Sequence, residues 1–120
     1  MNESKITSYR DLIVWQKAMK LVIAIYEATN HFPKSELYTL TSQIRRAAIS
    51  IPSNIAEGFT RRHNKEYKQF LYVALGSCAE LETKIEISSN LNFITSSQKE
   101  NLLEKTNHFS RMITNLIKCL

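Results

Sequence analysis

A chain of 120 residues and 13.9 kDa has room for one domain, residues 1–120, that buries roughly two-thirds of its unfolded surface. Hydrophobic residues at 43% and charged residues at 22% exclude a disordered chain, and 2 Gly with 2 Pro leave too little turn chemistry for a hairpin-built fold, so an all-α fold is expected. The net charge of +5 and a pI near 9.3 admit a polyanionic partner without requiring one.

Residues 1–7 form a polar lead. Ser8, with Asp11 three positions on, makes an approximate capping box and predicts a first helix over about 9–31. Its apolar residues form two adjoining stripes, Leu12, Trp15, Met19, Val22 and Tyr26 beside Val14, Ala18, Leu21, Ile25 and Ala28. One stripe is enough for the core of a monomeric bundle. Two stripes mean that the helix is either central or also covered by a second subunit. Trp15 and Tyr26 could serve as base-stacking platforms, but aromatics at helical spacing are more often core. Pro33 ends the helix by disfavouring the helical conformation at Phe32.

Ser35 is the expected cap of a second helix over about 36–60. Leu40, Ile44, Ala48, Ile51, Ile55 and Phe59 recur at three- and four-residue spacing as a buried seam. Gln43, Arg46, Ser50, Asn54 and Glu57 recur on a second face. A wet face would more usually hold Lys and Glu at i,i+4, so this mixture of amides, guanidinium, hydroxyl and carboxylate leaves two readings open, an ordinary wet face or a hydrogen-bonded polar seam at a subunit or ligand contact. Pro52 removes a donor in mid-helix, which costs about 3 kcal/mol, and leaves the Ala48 carbonyl without its usual partner. Because the apolar stripe continues in phase, a bend filled by water or by Ser50 or Ser53 is expected rather than a break. Gly58 either admits a close neighbour or helps end the helix.

The basic link Arg61 to His63 leads into a third helix over about 65–91, with Asn64 as its expected cap and Glu66 in its first turn. Tyr67, Leu71, Ala74, Cys78, Leu81 and Ile85 form its seam, and Gln69, Ser77, Glu80 and Lys84 form another polar stripe. Gly76, in mid-helix, is expected at a close helix contact. Asn90-Leu91-Asn92 supplies a stop, and Thr95 with Gln98 gives the clearest capping box of the chain, starting a fourth helix over about 96–119. Leu102, Phe109, Ile113, Leu116 and Leu120 are its expected buried face. Four helices with short links predict an antiparallel up-down-up-down four-helix bundle.

The positive charge is concentrated. Residues 1–79 hold 11 Lys+Arg against 6 Asp+Glu, and residues 80–120 hold five of each. Arg45, Arg46, Arg61, Arg62, Lys65 and Lys68 are the candidate nucleic-acid contacts, against the plainer reading of a solubilising surface. His31, His63 and His108 fall on different elements without metal-ligand spacing, so no metal and no cofactor is expected. No Ser or Cys has an adjacent base, and Glu57 with Glu80 is the nearest approach to an acid/base pair, so the chain is not expected to be an enzyme. Cys78 and Cys119 are poor material for a secreted scaffold. With no leader pattern and no apolar run near about 18 residues, neither a signal peptide nor a membrane span is expected, and the cytoplasm is the expected compartment.

The stretch SQIRRAAISIPSNIAEGFTRR, with YRDLIVWQKAMKL and FLYVALGSCAELET, resembles the four-helix-bundle proteins encoded in intervening sequences of 23S rRNA genes. The likeness runs from Tyr9 to about Leu116, and Gln43, Arg46, Ser50, Asn54, Glu57, Gly58, Ser77 and Glu80 match the family's most recognisable positions. It implies a bundle that assembles as a homopentamer. It also implies kinship with the accessory proteins of diversity-generating retroelements, basic pentamers that bind nucleic acid and a reverse transcriptase. Two functions follow as expectations: an oligomeric accessory that holds RNA or DNA backbones without reading bases, or an oligomeric scaffold for a protein partner whose polar stripes join the subunits.

Overall fold

The structure, a computed structural model, describes residues 5–120. Four α-helices carry it: α1 (Ile13–Thr29), α2 (Ser42–Phe59), α3 (Asn64–Asn90) and α4 (Ser96–Cys119), with no strand among the described residues. Each helix packs on its neighbour in sequence and α1 closes against α4, the neighbour pattern of a four-helix bundle. The molecule measures 46 × 28 × 20 Å; α3, with 27 residues, accounts for about 40 Å of the long axis at 1.5 Å per residue.

The first helix starts later than its capping box suggests. Ser8 and Asp11 do form the box, Asp11 Oδ2 accepting from the Thr7 and Ser8 amides at 3.0 and 3.1 Å. What they cap is a separate 3-10 turn, Tyr9–Asp11. Leu12 then turns extended (φ −76°, ψ 128°) and α1 begins at Ile13. Two backbone hydrogen bonds to Asp11 hold its carboxyl below the usual value.

The second helix also has an irregular entry. Pro33 precedes a 3-10 turn, Lys34–Glu36, and a π-helical turn, Leu37–Thr41, before α2 proper, and Ser35 makes no capping bond. The wide turn leaves the buried Thr41 hydroxyl without a partner. Pro52 does not break α2, which runs through it, and the proline is buried. The hydroxyls expected near the gap are engaged elsewhere: Ser53 donates to the Ile49 carbonyl at 2.9 Å, and Ser50 bonds Ser77.

At Gly58 α3 approaches α2 closely. A Cβ there would lie 2.8 Å from Phe70 Cβ and 3.3 Å from the Tyr67 carbonyl oxygen, so the glycine admits a neighbour. Gly76 does the opposite of what its position suggests: it is exposed, and nothing stands within 4 Å of its missing Cβ. Asn64 is the first residue of α3 rather than its side-chain cap. At the far end Asn92 takes φ 63°, with the Asn92 amide on the Ser89 carbonyl and the Phe93 amide on the Ser88 carbonyl, a Schellman stop that an asparagine tolerates. The Thr95–Gln98 box is reciprocal at 3.1 and 2.8 Å.

The core takes the predicted seams of α2, α3 and α4 except at Phe59, Tyr67, Leu116 and Leu120, which are only half-buried. Ile44, Ala48, Ile51, Ile55, Leu71, Ala74, Leu81, Ile85 and Ile113 are buried with Ala18, Leu21 and Ile25. Phe59 is only partly covered, stacked edge-on to Tyr67. On α4 the buried positions toward the end are Ile113 and Ile117, while Leu116 and Leu120 pack at the margin. Phe32, from the α1–α2 connection, meets Phe93, from the α3–α4 connection, at 5.4 Å, so these two links share one end of the bundle.

Candidate functional site

The α1 stripe Leu12, Trp15, Met19, Val22 and Tyr26 is only partly covered: Leu12, Trp15 and Val22 pack half-buried against the core, while Met19 and Tyr26 are exposed. With Tyr9 it faces α2 across a trough of about 340 Å³ whose α1 wall is Trp15, Met19 and Val22 and whose α2 wall is Ile49, Pro52, Ser53 and Ala56. Tyr9 stands edge-on to Trp15 at 5.3 Å and fixes the indole at one end. Past Ile49 the trough continues into a second cleft of about 300 Å³, where Tyr26, Leu37, Tyr38, Arg45 and Arg46 gather around the irregular start of α2. Tyr38 is 89% exposed and Ile49 41%. Exposed single apolar residues are normal; here exposed and half-buried ones adjoin along one side of the bundle. Ile13 and Ile23 on α1, and Tyr72, Val73 and Ile87 on α3, add further uncovered apolar surface.

The six basic residues do not form one patch. Arg45 is turned inward, its Nε donating to Thr29 Oγ1 at 2.8 Å and its guanidinium lying 4.4 Å from the Tyr26 ring. Arg46 is exposed on the second cleft. Fifteen residues further on, about 22 Å along the helix, Arg61 pairs with Glu57 at 2.9 Å and lies over Phe70. Arg62, Lys65 and Lys68, around the α2–α3 link, form no ion pair among the described residues. Of these six, the residues outside any ion pair or inward contact thus sit at two places, Arg46 and the basic corner Arg62, Lys65 and Lys68.

The polar stripe of α2 is divided as well. Ser50 and Ser77 bond across α2 and α3 at 2.8 Å, and the Asn54 amide donates to the Ser50 hydroxyl and carbonyl at 3.0 and 2.8 Å. These three satisfy one another within the chain. Glu57 is taken by Arg61, and Glu80 by Lys84 at 3.4 Å, each on its own helix, in place of an acid/base pair across α2 and α3. Such exposed i,i+4 pairs contribute about 0.3–0.5 kcal/mol. Gln43 and Arg46 are exposed.

Nothing else among the described residues gathers into a reactive set. No three His, Cys, Asp or Glu side chains converge there on a point that could hold a metal. Burial pushes the Cys78 thiol up to about 11, with the Ser110 hydroxyl pulling it back and Glu82 adding to the rise. A buried protonated thiol is packing, not a nucleophile. No described helix is long and apolar enough to cross a membrane.

The fold is that of a small all-helical bundle, with a partly open apolar trough, a basic corner and a polar seam satisfied within the chain. The chain belongs to the 23S rRNA-intervening sequence protein family, whose model matches residues 10–115. Among solved structures it is similar to a protein of unknown function from the S23 ribosomal protein family of Bacteroides thetaiotaomicron, with 22% identity and a TM-score of 0.79. The likeness covers 88% of this chain and 99% of that one. At that identity the likeness concerns the fold. No curated protein matches the chain.

The trough is where sequence reading fell short. The stripe Trp15, Met19, Val22, Tyr26 is legible by its spacing, but its opposite wall includes Ile49, which lies between the apolar and polar faces of α2 and belongs to neither stripe. Leu37 and Tyr38 carried no signal, because a π-turn shifts the phase on which periodicity depends.

Proposed function

We propose that the chain is a non-catalytic, up-down-up-down bundle that assembles with copies of itself, as a pentamer, and holds nucleic-acid backbones on the basic corners of the assembly. The observation that supports the reading is the apolar lane from Trp15 through Ile49 to Tyr38, in which a lone chain leaves Met19, Tyr26, Leu37, Tyr38 and Ile49 exposed to water. Burying apolar surface yields about 25 cal/mol per Å², and a stable interface needs about 800 Å² per partner. The lane would be one part of such an interface, with the exposed Ile13 and Ile23 of α1 and Tyr72, Val73 and Ile87 of α3 as further apolar surface.

Assembly multiplies Arg62, Lys65 and Lys68, which no carboxylate of the described residues neutralises. Lysine and arginine on a helix surface contact phosphates without entering a groove, so binding is indifferent to sequence and falls with salt. The two free cysteines suit a reducing compartment, the cytoplasm.

Fluorescence anisotropy of the full chain with a structured RNA and a DNA duplex, across a salt series, tests the nucleic-acid part. The expected result is binding whose logarithm falls linearly with log salt, and a shallower slope for Arg62→Glu/Lys65→Glu/Lys68→Glu. Absence of binding at low salt, or an unchanged slope in that variant, would contradict it.

A further inference from the structure

On the flank of α1 away from the trough, α1 and α4 line a third, separate cleft of about 180 Å³. Its floor is apolar, Leu21 and Phe109, both almost fully buried. Its rim is basic: Lys17 and Lys20 from α1, Lys105 and His108 from α4. The spacing is what brings them together. Lys17 and Lys20 lie one turn apart on α1, as Lys105 and His108 do on α4, and so each pair projects from one face of its helix. No carboxylate lines the cleft, and none of the three lysines forms an ion pair among the described residues. Glu27 lines the adjoining groove that Lys105 also borders, and it too forms no ion pair there. Like charges are thus held near one another around an apolar floor, an arrangement that an anion relieves.

We propose that this cleft is a binding site for a small organic phosphate monoester, its phosphoryl group ringed by the three ammonium groups and its apolar body resting on Leu21 and Phe109. Size and charge both favour that class. An apolar cavity of about 150 Å³ is enough for one benzene ring, so 180 Å³ takes a single ring or its equivalent, well below the roughly 300–1,000 Å³ of larger ligand pockets. A phosphate monoester carries about 1.5 to 2 negative charges at neutral pH and offers three strong acceptor oxygens. Three separate ammonium donors match it better than they match a carboxylate. The site shares no lining residue with the apolar lane or the basic corner.

Saturation-transfer NMR and equilibrium dialysis of the full chain, with phenyl phosphate, inorganic phosphate and benzoate as probes, test the proposal. Phenyl phosphate is expected to bind saturably with its ring protons receiving magnetisation, and more tightly than either of the other two. Lys20→Glu/Lys105→Glu is expected to weaken it by at least about tenfold through loss of charge-assisted hydrogen bonds, while Lys65→Glu/Lys68→Glu leaves it unchanged. If the reversal also lowers the helical circular-dichroism signal, Lys20→Gln/Lys105→Gln carries the same expected loss without added repulsion. No saturable binding, equal binding of inorganic phosphate or benzoate, or loss only in the Lys65/Lys68 variant would overturn the assignment.

Discussion

At Gly58 a methyl group has no room. Gly58→Ala would gain up to about 1 kcal/mol of helix propensity, but its Cβ would meet Phe70 Cβ at 2.8 Å and Tyr67 Cδ1 at 3.1 Å. The first of these is the root of a side chain and does not swing away, so overpacking of about 1–3 kcal/mol dominates. Urea unfolding should show a net loss of about 1–2 kcal/mol for Gly58→Ala. The same change at Gly76, which faces open space, should gain about 0.5–1 kcal/mol. A loss at Gly76 would mean that another chain packs against it. Sequence marked both glycines as exceptional but could not separate them, because propensity is local and the neighbour at Gly58 comes from another helix.

Cys78 gives a second test at this scale. Burial raises its thiol to about 11 while Cys119 is exposed, so a thiol reagent at pH 8 should titrate one cysteine in the native protein and both in denaturant. The folded value lies above the ordinary thiol value of 9.0. The neutral thiol therefore contributes stability that is complete below pH 9 and is lost as pH rises through about 11. A Cys78→Ala variant should unfold with a flatter pH dependence between those values. Equal reactivity of the two thiols in the native state would contradict the packing described around Cys78.

Among the elements, the helix ends were unequally legible. Thr95–Gln98 reads directly as a cap because both bonds are made within four residues. Thr95→Ala should therefore lower stability by about 1 kcal/mol in thermal or urea unfolding, and an unchanged midpoint would mean that the box contributes nothing in solution. Ser8–Asp11 obeys the same rule and still misplaces the start of α1, since the extended Leu12 separates the capped turn from the helix. The entry to α2 was illegible for another reason: a π-turn is stabilised by what packs on it and leaves no spacing in the sequence. Pro52 was legible in its consequence, continuity of the stripe through α2, but not in the fate of the nearby hydroxyls, which depends on Ser77 of another helix. The lysine cleft was missed likewise, as neither i,i+3 pair on α1 or α4 means anything until the helices are paired.

For the whole molecule, apolar seams at helical spacing and short links are enough to write down a four-helix bundle, and the neighbour order of α1 to α4 agrees. The surface is harder to read. A cluster of six basic residues in sequence divides in space, because Arg45 is held by Thr29 and Tyr26 and Arg61 by Glu57. What sequence did convey is the excess of apolar surface on α1, and the proposed assembly follows from where that excess lies. Sedimentation velocity of the wild type beside Ile49→Glu, which puts a charge in the middle of the lane, tests this most directly. The account predicts a wild-type mass five times the 13.9 kDa chain and a helical variant shifted to the mass of one chain. A wild type that sediments as a single chain, or an Ile49→Glu assembly of undiminished mass, would contradict it.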